Sequence, residues 1–125
     1  MPYDLSIRKT RDVLQVHVTG KRTLETVSAM AREILEACLR EGKPKVLVDV
    51  RELAGRLPEE DAYTMAAWRF PELGRRRVLS AAAIVDMAEY EDQFRYFENV
   101  ARNRGFNLHI FGDVDSAMKW LGEDS

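Results

Sequence analysis

Asp49 and Asp86 each close an apolar run, VLV before the first and AAAIV before the second. Carboxylates at the carboxyl ends of two neighbouring strands can share proton-transfer work or hold a hard cation. That edge of an open α/β sheet is also where ligands bind. Both residues have a structural reading as well. Asp86-Met87-Ala88-Glu89 fits a capping box at the start of a helix, and Asp49 can bond the amides of the loop that follows it. His17 and His109 are the only histidines, and Cys38 is the only cysteine. A metal site would need the histidines to converge with a carboxylate or with Cys38. No Ser-His-Asp or Cys-His arrangement can be assembled from this spacing, so no catalytic residue, metal ligand or cofactor site is assigned.

Glu59, Glu60 and Asp61 follow Pro58 in what reads as the first turn of a helix. The free amides and positive dipole end there favour each carboxylate by about 0.3–1 kcal/mol. The same crowding makes this helix end a poor phosphate cradle. Neither GxGxxG nor GxxxxGK[ST] occurs in the chain, so nucleotide binding is not expected. Arg69, Arg75, Arg76 and Arg77 form the one basic concentration. Local favour near a helix C-terminus accounts for them, and contact with an acidic partner or a lipid headgroup is the alternative. Ser80 follows the arginines as a kinase substrate would, but its place in an apolar strand pattern predicts that it is inaccessible.

The elements that position these residues follow from periodicity. Residues 3–9 and 12–19 read as two strands around a polar turn, with Leu14, Val16 and Val18 on one face and Gln15 and His17 on the other. A helix over residues 23–41 carries the stripe Leu24, Val27, Ala31, Ile34, Leu35, Cys38 and Leu39. It ends at Gly42 and Pro44. Residues 46–50 suit an interior strand of a parallel sheet. A second helix covers residues 58–70, broken by Pro71 and Gly74. Residues 78–85 read as a central strand. A third helix, residues 89–103, buries Tyr90, Phe94, Phe97, Val100 and Ala101, and Gly105 closes it. Residues 106–111 form a strand nearer an edge, and residues 114–121 a short last helix. The order β-β-α-β-α-β-α-β-α predicts an α/β fold with one mixed, mostly parallel five-stranded sheet, about four helices and right-handed crossovers.

Composition narrows the function classes. A chain of 125 residues is expected to form one domain over residues 1–125. A size near this buries roughly two-thirds of its unfolded surface. With 46% hydrophobic and 32% charged residues and a net charge of −2, nothing points to nucleic acid. No apolar run approaches the ~20 residues of a membrane span. The opening MPYDLSIRK lacks the apolar stretch of a secretory signal. One cysteine suits a reducing compartment, so a cytoplasmic location is expected.

The second helix is rich in large apolar side chains: Tyr63, Met65, Trp68, Phe70 and, just beyond it, Leu73. Not all can face the sheet, since Trp68 lies ~100° from Ala67 and ~200° from Ala66 on a helical wheel. One reading makes Tyr63, Ala66, Ala67 and Phe70 core, with the others covering an edge. The other lets Leu53, Met65, Trp68 and Met87 line a groove for an apolar small molecule, a partner protein or a second copy of the chain, because clustered exposed apolar groups mark such sites.

The early hairpin, the middle strand KVLVDVREL, the strand LSAAAIV and the ending LHIFGDVDSAMKWL resemble STAS domains, the fold of the SpoIIAA-type anti-sigma-factor antagonists. The pattern is most similar to the SpoIIAA-like, STAS/SEC14-like branch of small bacterial proteins. That resemblance implies binding of an apolar ligand or a role in regulation. Antagonists carry a phosphorylatable serine in an Asp-Ser-Ser-Gly-like turn after the middle strand. The matching turn here, Arg51 to Pro58, has no Ser or Thr, so that switch does not carry over. Glu59 to Asp61 would then be a permanent negative patch in its place. The expectation is a non-enzymatic binding or regulatory module. A phosphoregulated antagonist and a small enzyme using Asp49 and Asp86 are the alternatives.

Overall fold

The computed structural model describes residues 3–10, 12–69, 71–72 and 79–122, apart from the side chains of Asp92 and Gln93. Phe70, Leu73, Gly74, Arg75, Arg76, Arg77 and Val78 lie outside them, and with them three of the four arginines of the basic cluster and part of the expected second-helix core. The strands are β1 (Tyr3–Thr10), β2 (Val13–Lys21), β3 (Lys45–Ala54), β4 (Ala81–Val85) and β5 (Leu108–Phe111). The helices are α1 (Leu24–Glu41), α2 (Glu59–Thr64), α3 (Glu91–Asn103) and α4 (Val114–Trp120). The strands lie side by side in chain order, β1 antiparallel to β2 and every other neighbour parallel. With that order, right-handed crossovers send every crossover helix to the same face. Residues of α1, of the segment after α2 and of α3 do share one core with Leu14, Val16, Val18 and Val46. On the opposite face α4 packs Ala117, with Leu121 just beyond its end, on Val13, Leu47, Ala83 and Val85. Among the described residues no helix is long and apolar enough to cross a membrane.

The ends of α1 follow the sequence. Thr23 accepts a hydrogen bond from the Thr26 amide at 3.1 Å as N-cap. Gly42 adopts φ 66°, a left-handed conformation that favours glycine. The stripe differs in one place: Met30 and Ala37 are buried while Leu39 is exposed. Leu39 sits ~140° from Ile34 on the wheel, beyond the reach of the sheet.

Three expectations are corrected. β3 does not end at Val50 but runs to Ala54, so the turn shrinks to residues 55–58. Its register with β2 moves from His17↔Asp49 to Thr19↔Glu52, three residues on β3 against two on β2. This bulge breaks the side-chain alternation, which makes Arg51-Glu52 look like loop and turns Leu53 into the helix-covered core. β4 starts at Ala81 rather than near 78, and Ser80 is exposed outside the strand, its hydroxyl donating to the Pro44 carbonyl at 3.2 Å. The second helix is α-helical only to Thr64 and continues as a π-helical segment, Met65–Arg69. Its wider i→i+5 turn buries Met65, Ala66 and Ala67 consecutively and leaves Tyr63 exposed.

Candidate functional site

A cavity of about 630 Å³ lies between the sheet and the three crossover helices. Its floor is Val18, Val46, Val48, Val50, Ile84 and Ile110, the residues that alternation turns to this face. α1 contributes Val27, Met30 and Ile34 to the wall, and α3 contributes Phe94 and Phe97. Ala31, Ala62 and Ala82 stand where larger side chains would close the space. Close-packed interiors leave few voids larger than a water molecule, whereas ligand sites fall between ~300 and 1,000 Å³.

One end of the cavity is polar. Arg22, directly after β2, and Asp86, directly after β4, form a two-pronged ion pair with Nη1 to Oδ2 at 2.9 Å and Nη2 to Oδ1 at 3.2 Å. Nη2 also donates to the Val50 carbonyl at 3.0 Å. The Met87 amide donates to Asp86 Oδ1 at 2.8 Å. Each side chain of the pair is 13% exposed. The capping box expected at Asp86 is therefore not formed: the half-buried Arg22 guanidinium holds the carboxylate, and the chain enters α3 through a 3-10 turn, Ala88–Tyr90. Arg22 is not among the candidates that the sequence pattern singles out. Its position at a strand's carboxyl end is the one available signal. At the rim, Arg56 stacks over the Tyr90 ring at 4.2 Å, near Glu59 and Tyr96.

The opposite face carries a shallower groove of about 450 Å³ lined by His17, Asp49, Arg51, Glu52, Met87 and Ala88. Asp49 accepts from the Arg51 amide at 3.1 Å and from its guanidinium at 2.9 and 2.7 Å. Burial pushes the Asp49 carboxyl up, but the Arg51 bonds outweigh it and hold the group below the usual carboxylate range. His17 pairs with Glu52. At the other edge His109 contacts Glu98 and Arg102 and lies edge-on to Trp120.

The residues expected to line one groove are dispersed. Leu53 lines the large cavity. Met65 is fully buried, its sulfur accepting from the Ser28 hydroxyl at 3.3 Å. Trp68 is 57% exposed, with the Arg104 guanidinium 4.6 Å from its ring centroid. Met87 lies in the shallow groove. Asp49 faces that groove and Asp86 the cavity, so the sheet separates the two carboxylates. The histidines sit in different strands with different partners, and burial pushes the Cys38 thiol up to about 11. Among the described residues no three His, Cys, Asp or Glu side chains cluster as metal ligands would.

No family model and no curated protein matches the sequence. Solved structures do match. An anti-sigma factor antagonist from Mycobacterium paratuberculosis superposes with a TM-score of 0.61 at 16% identity, over 97% of this chain and 95% of that one. An uncharacterised DUF3478-family protein with a SpoIIAA-like fold from Shewanella loihica gives 0.56 at 24% identity, over 95% and 93%. The chain thus adopts the SpoIIAA-like, STAS-type α/β fold.

Proposed function

We propose that this chain is a non-enzymatic binding module of regulatory type that takes an apolar ligand between its sheet and helices α1, α2 and α3. The cavity of about 630 Å³ carries this reading. Its wall is aliphatic and aromatic, Leu53 belongs to it, and a few polar groups stand at one end, the usual make-up of a small-molecule site. Separation of Asp49 from Asp86 by the sheet counts against an acid–base pair. Native mass spectrometry of protein purified from its own host is expected to show an added mass that organic solvent removes. Finding no such mass, together with no saturable uptake of a ten-carbon aliphatic probe, would remove the ligand from this proposal.

A second reading, control through a partner protein, has the antagonist-named neighbour in its favour. Residues 51–58 contain no Ser or Thr, so such control would not work by phosphate on that turn. A mass gain of one phosphate there after incubation with host kinases is thus not expected.

A further inference from the structure

The two edges of the sheet are finished differently. At one edge β5 has four residues, and Glu98 Oε1 accepts from the Ile110 amide at 2.8 Å, so a side chain already takes a backbone donor there. At the other, β1 has eight residues and pairs with β2 alone. Hydrogen bonds from its side chains to α1 lie towards its two ends, the Tyr3 hydroxyl to Glu33 at 2.8 Å and the Lys9 ammonium to Glu41 at 3.0 Å. Between them Asp4, Ser6, Ile7 and Arg8 are exposed, Ile7 at 42%. An edge of this length offers a row of backbone donors and acceptors to another strand.

Charge on an edge strand can keep it single, but the order of the charges on β1 makes it complementary to itself. Leu5 lies beside Val18 and Ile7 beside Val16, on the helix-covered face. Asp4, Ser6 and Arg8 alternate with them and point to the other face. Among the described residues neither Asp4 nor Arg8 has an ion-pair partner. A two-fold axis through Ser6 and normal to the sheet sets Asp4 opposite the partner's Arg8, Arg8 opposite the partner's Asp4, and Leu5 opposite the partner's Ile7. Opposed residues then share a face, as antiparallel pairing demands. An axis through Leu5 sets Asp4 against the partner's Ser6, and one through Ile7 sets it against the partner's Thr10, so neither matches the charges. We propose that β1 pairs antiparallel with β1 of a second copy, about an axis at Ser6, joining two sheets into one across an isologous contact.

One strand from each copy makes a small contact, so the dimer belongs to the weak class, with a Kd between about 1 μM and 1 mM. Sedimentation velocity of the whole chain over a concentration series is expected to show monomer and dimer exchanging in that range. Asp4→Arg and Arg8→Asp each set like charges opposite one another, twice per dimer, and each is expected to weaken dimerisation at least about tenfold. Mixed in equal amounts, the two variants are expected to associate as tightly as the parent, because every opposed pair is again one cation and one anion. Both positions are exposed, so the variants should fold, which circular dichroism checks. Should either not fold, hydrogen exchange of the unaltered protein decides: alternate β1 amides are expected to slow as concentration rises. A parent that stays monomeric up to about 1 mM, a dimer that either reversal leaves unchanged, variants that stay apart on mixing, or β1 amides indifferent to concentration overturns the pairing.

Discussion

On the helix-covered face, the carboxyl edge of the sheet holds Arg22 and Asp86, each 13% exposed. On the opposite face the same edge holds Asp49 with Arg51, 13% and 42% exposed, and His17 with Glu52, 43% and 63% exposed. The charges are of one kind and their surroundings differ. Three helices over one face leave both members of the first pair largely covered. One short helix over the other leaves Arg51, His17 and Glu52 at the solvent boundary. Removing a partner from a desolvated pair strands a charge, whereas a wetted pair is replaced by water at little cost. The covered pair should therefore depend more on its partner than the open pairs do.

The largest effect should come from Arg22→Met, which leaves the largely covered Asp86 without its cation. A loss of about 3–5 kcal/mol in urea unfolding is expected. Most of it should return in Arg22→Met/Asp86→Leu, where neither charge remains. A loss below about 1 kcal/mol for the single variant would mean that this pair is as wet as those opposite, and the contrast would fail.

The next test uses two consecutive residues of β4 that point to opposite faces. Ala82 lines the cavity, and Ala83 is fully buried beneath α4. Ala83→Leu adds volume to a filled core and should cost about 1–3 kcal/mol. Ala82→Leu extends into the cavity and should be neutral or stabilising by up to about 1 kcal/mol, while weakening uptake of a ten-carbon aliphatic probe. Equal losses at the two positions would show that both faces are packed alike.

Much of this contrast is legible in the order of the residues, and its sharpest point is not. Interior strands announce themselves through apolar runs, and Thr23 and Gly42 carry local chemistry that ends a helix wherever it occurs. The bulge in β3 and the π-helical segment after α2 change the periodicity itself. A pattern read at a fixed period of 2 or 3.6 therefore misplaces Leu53, Tyr63 and Met65. The pairing of Arg22 with Asp86 spans 64 positions. Nothing local tells which of many charges a chain will bring together at that distance. Ligand sites made from strand ends on one face inherit this opacity. Asp86 stands out as a candidate while its partner does not.

Asp49→Asn is a smaller test, expected to cost about 0.5–1 kcal/mol at pH 7. The folded carboxyl titrates below its usual range. Its contribution is then fully present above the unfolded value near 4 and is lost as pH falls through the lower folded value. The variant and the parent should converge in stability in acid below that point. A gap that persists there would mean Asp49 acts by shape and not by charge.

The smallest effect belongs to Glu52→Gln. Both Glu52 and His17 are largely exposed, so the loss should stay within about 0.5 kcal/mol. Salt sharpens the comparison further. A Debye length near 10 Å at 0.1 M falls to about 3 Å at 1 M, so the Glu52→Gln difference should vanish in concentrated salt. The Arg22→Met loss should change less there, because that pair is the more covered of the two. A salt response shared by the two variants would place both pairs in water and remove the contrast between the two faces.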